Sequence, residues 1–226
     1  MKSPLETKTA QRQQLLSLGR AFRVRPAAGP KTSPNTDSTG MCMAIDLIRR
    51  DKCQNFIILE KGCGFGGVWR DNVYPGCCCD IGSHLYSFSF EQNPAWTRQY
   101  SDQEEILSYL TGVAEKFGLY KHVRFNTTVE QAQWDENEQK WKTTVRVTGG
   151  KDAEFQDSYT ITSDFLVSAV GQLNFPSYPD IPGMDDFKGK LMHSARWDLD
   201  YELEGMNVAV IGNGTLAHHT TLNTYP

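Results

Sequence analysis

Residues 208–217 read VAVIGNGTLA, an apolar run that ends in two glycines and a small third residue at G-x-G-x-x-A spacing. A short continuous apolar run suits a strand buried on both faces of a parallel sheet. Gly212 lets the chain turn sharply out of that strand. Gly214 lets a ligand approach bare backbone, and Ala217 is small enough for the following helix to pack on the strand. The first turn of that helix then offers unpaired N–H groups to a phosphate. A plain strand-to-helix turn carries the same glycines, so the spacing alone leaves both readings open. The strand in front of it favours a dinucleotide turn and an α/β class.

Upstream, Pro176, Pro179 and Pro182 predict an extended linker. Before them, TTVEQAQWDENEQKWKTTVRV (residues 127–147) alternates as a hairpin turned by DENEQ. YTITSDFLVSAVG (159–171) continues it, with FLVSAV apolar enough for another buried strand. Ser101 and Glu104 have capping-box spacing, and Ile106, Leu107, Leu110, Val113, Ala114 and Phe117 supply one helix face. GFGGVWRDN (64–72) is a loop whose glycines permit close backbone approach and whose Trp69 offers a flat face and an N–H. NFIILEK predicts a buried strand ending in Glu60, 20 residues after Gly40, where a dinucleotide fold places the acid that accepts from ribose hydroxyls. A solvated acid at a strand end is the plainer reading. MCMAIDLIRRD before it has helical apolar spacing at Met43, Ile45, Leu47 and Ile48. Residues 1–39 hold FRVRPAAGPKTSPNTDSTG, loop or disorder chemistry rich in Pro, Ser, Thr and Gly.

With 226 residues and 39% hydrophobic side chains, the chain can bury a core. The net charge of −4, with nothing basic clustered, disfavours a nucleic-acid or anionic-membrane partner. No apolar run approaches the roughly 20 residues that span a bilayer, and the first 20 residues lack a signal-peptide core. The expectation is a soluble, cytoplasmic protein. Its six cysteines, Cys42, Cys53, Cys63 and the run Cys77–Cys79, are then reduced thiols. The run lacks a second Cys/His pair at ligand spacing, so no metal is expected.

FKGKLMHSARWD (187–198) fits F-x-G-x-x-x-H-x-x-x-W-D through Phe187, Gly189, His193, Trp197 and Asp198. This resembles the fingerprint of Baeyer–Villiger monooxygenases, within the wider flavin-containing monooxygenase group, and looks closest to fungal members. LEK…GFGGVWRDNVYPG, SHLYSFSF, the SAVGQL run and PDIPGMDDF agree in order, so the resemblance covers residues 40–214. N-hydroxylating and sulfur-oxidising flavin monooxygenases share the layout, but the W-D after His193 favours the Baeyer–Villiger branch.

The resemblance implies a Rossmann-like FAD-binding domain with a β-rich insertion, followed by the start of a second Rossmann domain for NADPH. It implies oxygenation of a ketone to an ester or lactone with O2, in secondary metabolism. Matched residue by residue, it puts Glu60 on the FAD ribose and Gly67, Val68 and Trp69 along the flavin. Asp80 lies near the isoalloxazine and orients a catalytic arginine. Tyr86 and Val129 are further FAD contacts, and Gln172 lies by the nicotinamide. His193 and Trp197 couple domain motion to the cofactors, although a hydrogen-bonded structural histidine is equally compatible. The implied organisation is a divergent tail at 1–39, a partial FAD domain at 40–172, a fingerprint linker at 173–206 and the start of the NADPH domain at 207–226.

Two departures stand out. Gly40 takes the place of the third glycine of the first dinucleotide turn, but the expected strand and first two glycines are replaced by PAAGPKTSPNTDST. The chain also stops soon after Ala217, before the catalytic arginine. Further readings follow: a non-catalytic truncated remnant or a mispredicted gene product, with at most weak nucleotide binding, and a fragment completed by a second, complementing chain.

Overall fold

The computed structural model describes residues 15–18, 38–50, 52–149, 157–171, 173–174, 176–215 and 217. They divide into two units, one of residues 1–65 and 114–172, the other of residues 66–113 and 173–226.

In the first unit a four-stranded sheet has the order β3-β2-β1-β7. Its strands are β1 (Leu15–Leu18), β2 (Phe56–Leu59), β3 (Val123–Arg124) and β7 (Phe165–Ser168). Helix α1 (Thr39–Arg50) precedes β2 and buries Met41, Ala44, Ile45 and Leu47, one stripe at helical spacing. Arg49 and Arg50 lie in its last turn, where cations suit the helix dipole. Phe56, Ile58 and Leu59 are buried, as a central strand requires.

Strand β1 departs from expectation. It lies within the stretch read as irregular, and it pairs antiparallel with both β2 and β7. β2 and β3 pair in parallel. The sheet is therefore mixed, with a reversed strand in the place next to β2. β7 is less buried than FLVSAV suggests, with Phe165 and Ser168 exposed. Its ladder runs to β1.

A second, three-stranded sheet is the meander β4 (Thr127–Asp135), β5 (Lys140–Val147) and β6 (Ser158–Ser163). The expected hairpin is present. Asp135 Oδ1 accepts the N–H groups of Asn137 and Glu138 at 2.9 and 3.0 Å, and Gln139 takes φ 50°. Trp134 stands opposite Trp141, ring centroids 5.7 Å apart, a cross-strand aromatic pair of the kind that pins register. The register shifts between Val129 and Gln131, a bulge that leaves Val129 and Val145 packed with Leu59. The β6–β7 run breaks at Asp164, which pairs with Lys140, so its two halves join different sheets.

The second unit holds α2 (Val68–Asp71), a 3-10 helix at Ser83–Tyr86 and most of α3 (Gln103–Lys116). The capping box expected at Ser101 and Glu104 is not formed. Asp102 caps instead, its Oδ1 accepting Glu105 N–H at 3.0 Å. Ser101 is fully buried, its N–H and hydroxyl 2.7 and 2.8 Å from Ser83 Oγ. The buried strand expected at 207–211 carries no strand assignment, and Ile211 is 66% exposed, where a strand buried on both faces would cover it. No helix among the described residues is long and apolar enough to cross a membrane.

His122 stacks on Phe56, ring centroids 4.3 Å apart. Burial there holds its imidazole below the ordinary histidine value, helped by the charge of Lys121 and opposed by a backbone hydrogen bond with Phe56. The unfolded chain thus binds this proton more tightly. The histidine's contribution to stability is present above its ordinary value of 6.5 and is lost as pH falls below it. Urea midpoints measured from about pH 5 to 8 are expected to fall at the acid end, and more steeply than in His122→Phe, which keeps the stack. Parallel curves for the two proteins would contradict this.

Candidate functional site

The segment Gly66–Asp71 has an obligate backbone. Gly66 has φ 126° and Gly67 φ 50°, and a Cβ on Gly66 would stand 2.3 Å from Leu107 Cδ1. The turn delivers Val68 and Trp69 into α2, with Trp69 N–H bonded to Gly66 O at 3.0 Å. Trp69 is 7% exposed, meets Tyr86 edge to face at 5.3 Å, and accepts Gln103 Nε2 on its carbonyl. Its indole Nε1–H is buried without a hydrogen-bond partner among the described residues. A buried orphan donor costs about 1–3 kcal/mol. A ligand acceptor would relieve that cost.

Trp69, Tyr74, Cys77, Cys79, Ile106 and Leu110 form one buried cluster, against which Val68, Tyr86 and Trp197 pack. The fold thus brings four sequence-predicted residues, Val68, Trp69, Tyr86 and Trp197, onto one apolar cluster. Asp80 follows directly and is exposed. The cysteine run is a structural crossing: Cys79 N–H donates to Ser101 O at 3.0 Å and Gln103 N–H to Cys77 O at 2.9 Å. Ser83 Oγ lies 2.9 Å from both Arg98 O and Gln99 O and 3.8 Å from Cys79 Sγ. Burial pushes the Cys77 thiol up to about 11 and raises Cys78 and Cys79 as well. These are neutral packing groups rather than nucleophiles.

The fingerprint residues also form a folded turn. Arg196 N–H donates to His193 O at 2.8 Å, and Ala195 N–H to His193 Nδ1 at 3.1 Å. An accepting Nδ1 leaves the proton of neutral imidazole on Nε2. The Tyr178 ring lies 5.3 Å from that of His193. Gly189 is close under Phe187, since a Cβ there would meet Phe187 Cζ at 2.5 Å. Asp198 accepts Lys190 Nζ at 2.5 Å, and that bond holds its carboxyl below the ordinary range. The turn is tied to α2 through Asn174, which is buried. Its Nδ2 donates to Asp71 Oδ2 at 2.7 Å, and Arg196 Nη2 donates to its carbonyl at 3.1 Å. Asp71, Asn174 and Arg196 fall at variable positions of the quoted patterns, so no spacing singled them out.

At the second dinucleotide turn, Gly212 has φ 150° and a Cβ there would come within 3.3 Å of Ala217 Cβ. Ala217 N–H donates to Gly214 O at 3.0 Å. The close approach of Gly212 and Ala217 therefore requires small residues at both positions.

In the first unit Glu60 is 6% exposed and its Oε1 accepts Gly62 N–H at 2.6 Å. Gly40 is buried within α1. Val129 is buried in the core with Leu59 and Val145, so its side chain is engaged in packing. Gln172 lies outside the described residues. Among the described residues no group of His, Cys, Asp or Glu side chains converges as a metal site.

A profile of the FMO-like, flavin-binding monooxygenase-like family matches residues 68–223, and the chain belongs to that family. It is 55% identical over 179 residues to the FAD-binding monooxygenase ktnD of Aspergillus niger, covering 79% of this chain and 29% of that one. It is 49% identical over 178 residues to a Baeyer–Villiger monooxygenase of Streptomyces coelicolor, covering 79% and 32%. The crystal structure of cyclohexanone monooxygenase from Rhodococcus sp. Phi1 bound to NADP+ superposes with a TM-score of 0.66 and 32% identity, covering 80% of this chain and 33% of that one. The chain thus spans about a third of the length of the relatives it matches. The likeness bears out the α/β Rossmann-type class and the Baeyer–Villiger resemblance of the fingerprint.

The orphan indole gives a direct test. Trp69→Phe removes the donor and keeps a ring against Tyr86, so it should cost less than about 1 kcal/mol, because losing an unpaired donor offsets the lost volume. Trp69→Ala should cost about 3–5 kcal/mol. A loss in Trp69→Phe of about 2 kcal/mol or more in urea unfolding would mean that the N–H is satisfied.

Proposed function

We propose that this chain is part of an FAD-dependent, NADPH-using monooxygenase of the Baeyer–Villiger type, which converts a ketone to an ester or lactone with O2. The observation that carries the reading is the folded fingerprint turn at 187–198, with Trp197 packed on the Trp69 cluster. Similarity to a Baeyer–Villiger monooxygenase and to a cyclohexanone monooxygenase holding NADP+ supports the substrate and cofactor classes. Similarity to a fungal FAD-binding monooxygenase supports a place in secondary metabolism. We place the protein in the cytoplasm.

A bound FAD would supply the redox chemistry, and the chain's residues would bind, orient and shield it. Glu60 fits the ribose, and Gly67, Val68, Trp69 and Tyr86 fit the ring end, where the indole N–H has no partner among the described residues. In this reading Asp80 orients a cation beside the ring, and Val129 and Gln172 contribute further contacts. Gly212, Gly214 and Ala217 serve NADPH, and His193 and Trp197 transmit motion between two domains. The proposed organisation remains 40–172 for FAD, 173–206 for the linker and 207–226 for the start of the NADPH domain. The pyrophosphate is the part that does not fit, because β1 is reversed where the first dinucleotide turn belongs. The activity of this chain alone is therefore impaired. The reversed strand favours, as a second reading, a remnant whose chemistry is lost.

A chimera tests the first reading. Residues 40–217 would replace the matching segment of the Aspergillus niger relative. The expected outcome is a flavin-loaded chimera that couples NADPH oxidation to oxygenation of the relative's ketone substrate. If it holds flavin and oxidises NADPH yet releases only peroxide, residues 40–217 no longer carry the family's chemistry.

A further inference from the structure

A dinucleotide fold binds the pyrophosphate outside the carboxyl ends of parallel strands, where the first strand turns tightly into its helix. Here β2 and β7 both pair antiparallel with β1, so they run the same way. Leu18, the last residue of β1, stands opposite Phe56 and Phe165, the first residues of β2 and β7. Leu15, its first residue, stands opposite Leu59, which directly precedes Glu60. The chain therefore enters β1 at the edge where the ribose acid sits and leaves it at the opposite edge. Residues 19–38 separate β1 from α1, a longer stretch than the six positions of G-x-G-x-x-G.

The sequence register points the same way. With Gly40 as the third residue of G-x-G-x-x-G, the first two glycine positions fall on Asn35 and Asp37. The second is the position where bare backbone must approach the phosphates. The sequence has aspartate rather than glycine at that register position, a residue with a Cβ and a negative charge, which disfavours an anionic ligand.

We infer that this chain has exchanged its first pyrophosphate cradle for a reversed strand, and that its flavin affinity no longer depends on the adenylate half of FAD. The inference rests on the proposed flavin role for the ring-end residues. Its consequence is specific: FAD, FMN and riboflavin should bind alike, since each presents the same ring system to the Trp69 end.

The test uses the full 226-residue chain, with affinities for FAD, FMN and riboflavin measured by flavin fluorescence in equilibrium dialysis. A second protein carries the relative's matching segment in place of residues 1–39, its folding checked by thermal unfolding. The expected result is that the native chain binds the three flavins within about 3-fold of one another; a native chain that binds none of them would overturn the inference. The graft should gain about 100-fold or more for FAD, through restored charge-assisted hydrogen bonds to phosphate, and little for riboflavin. A native chain that prefers FAD over riboflavin by about 100-fold would overturn the inference. So would a folded graft with no gain for FAD. The chimera of residues 40–217 keeps the relative's own phosphate turn, so its failure would fall on the proposed chemistry and not on this segment.

Discussion

A buried strand must have both of its edges hydrogen-bonded, and β2 is the strand on which this constraint falls hardest. Phe56, Ile58 and Leu59 are buried, so water cannot satisfy the backbone groups beside them. β3 covers one edge in parallel, and β1 covers the other antiparallel. Either strand direction closes a ladder, because N–H and C=O groups alternate along a strand whichever way it runs. Only one direction delivers the chain into a phosphate-binding turn. Leu15–Leu18 therefore meets the folding requirement while leaving the binding requirement unmet.

The second unit rests on shorter-range constraints. Gly66 must be glycine because Leu107 fills the space a Cβ would need. That turn aims Trp69 into the cluster with Tyr74, Cys77, Cys79, Ile106 and Leu110. Ser83 ties the 3-10 helix to the Arg98–Ser101 segment through one hydroxyl. Asn174 does the same for α2 and the fingerprint turn, bonding Asp71 on one side and Arg196 on the other. A buried amide with partners on both sides is costly to lose, since each partner is then left unsatisfied. The fingerprint's fixed residues thus depend on variable ones for their place.

Local periodicity made α1, the 127–147 hairpin and the apolar face of α3 legible in the sequence, because each is decided by side chains a few residues apart. The helix start was misread by one residue: Asp102 and Ser101 are both good caps, and tertiary hydrogen bonds to Ser83 claimed the serine. β1 was illegible because LLSL is too short to stand out, and its pairing partners lie some distance along the chain. The 207–211 run misled in the opposite direction. Its apolar pattern predicts a strand buried on both faces, yet Val210 and Ile211 are exposed. Of the site, Trp69, Tyr86 and Trp197 were legible through the resemblance, while Asp71, Asn174 and Arg196 were not, because a bridging role has no spacing of its own.

The difference between the two dinucleotide turns follows from the same physics. The second keeps its G-x-G-x-x-A chemistry, with Gly212 and Ala217 in close approach, because that geometry is set within six consecutive residues. Val210 and Ile211, in the run before it, are exposed. The first keeps its sheet, with Glu60 buried at the end of β2, but lacks the local sequence for the turn. Each turn holds one half of what phosphate binding needs, a glycine-rich backbone path in one case and an anchored strand edge in the other. Because a phosphate site depends on several N–H groups converging at once, neither half substitutes for the other. Local sequence and nonlocal pairing are separate requirements here, and family resemblance along residues 40–214 reports mainly on the first.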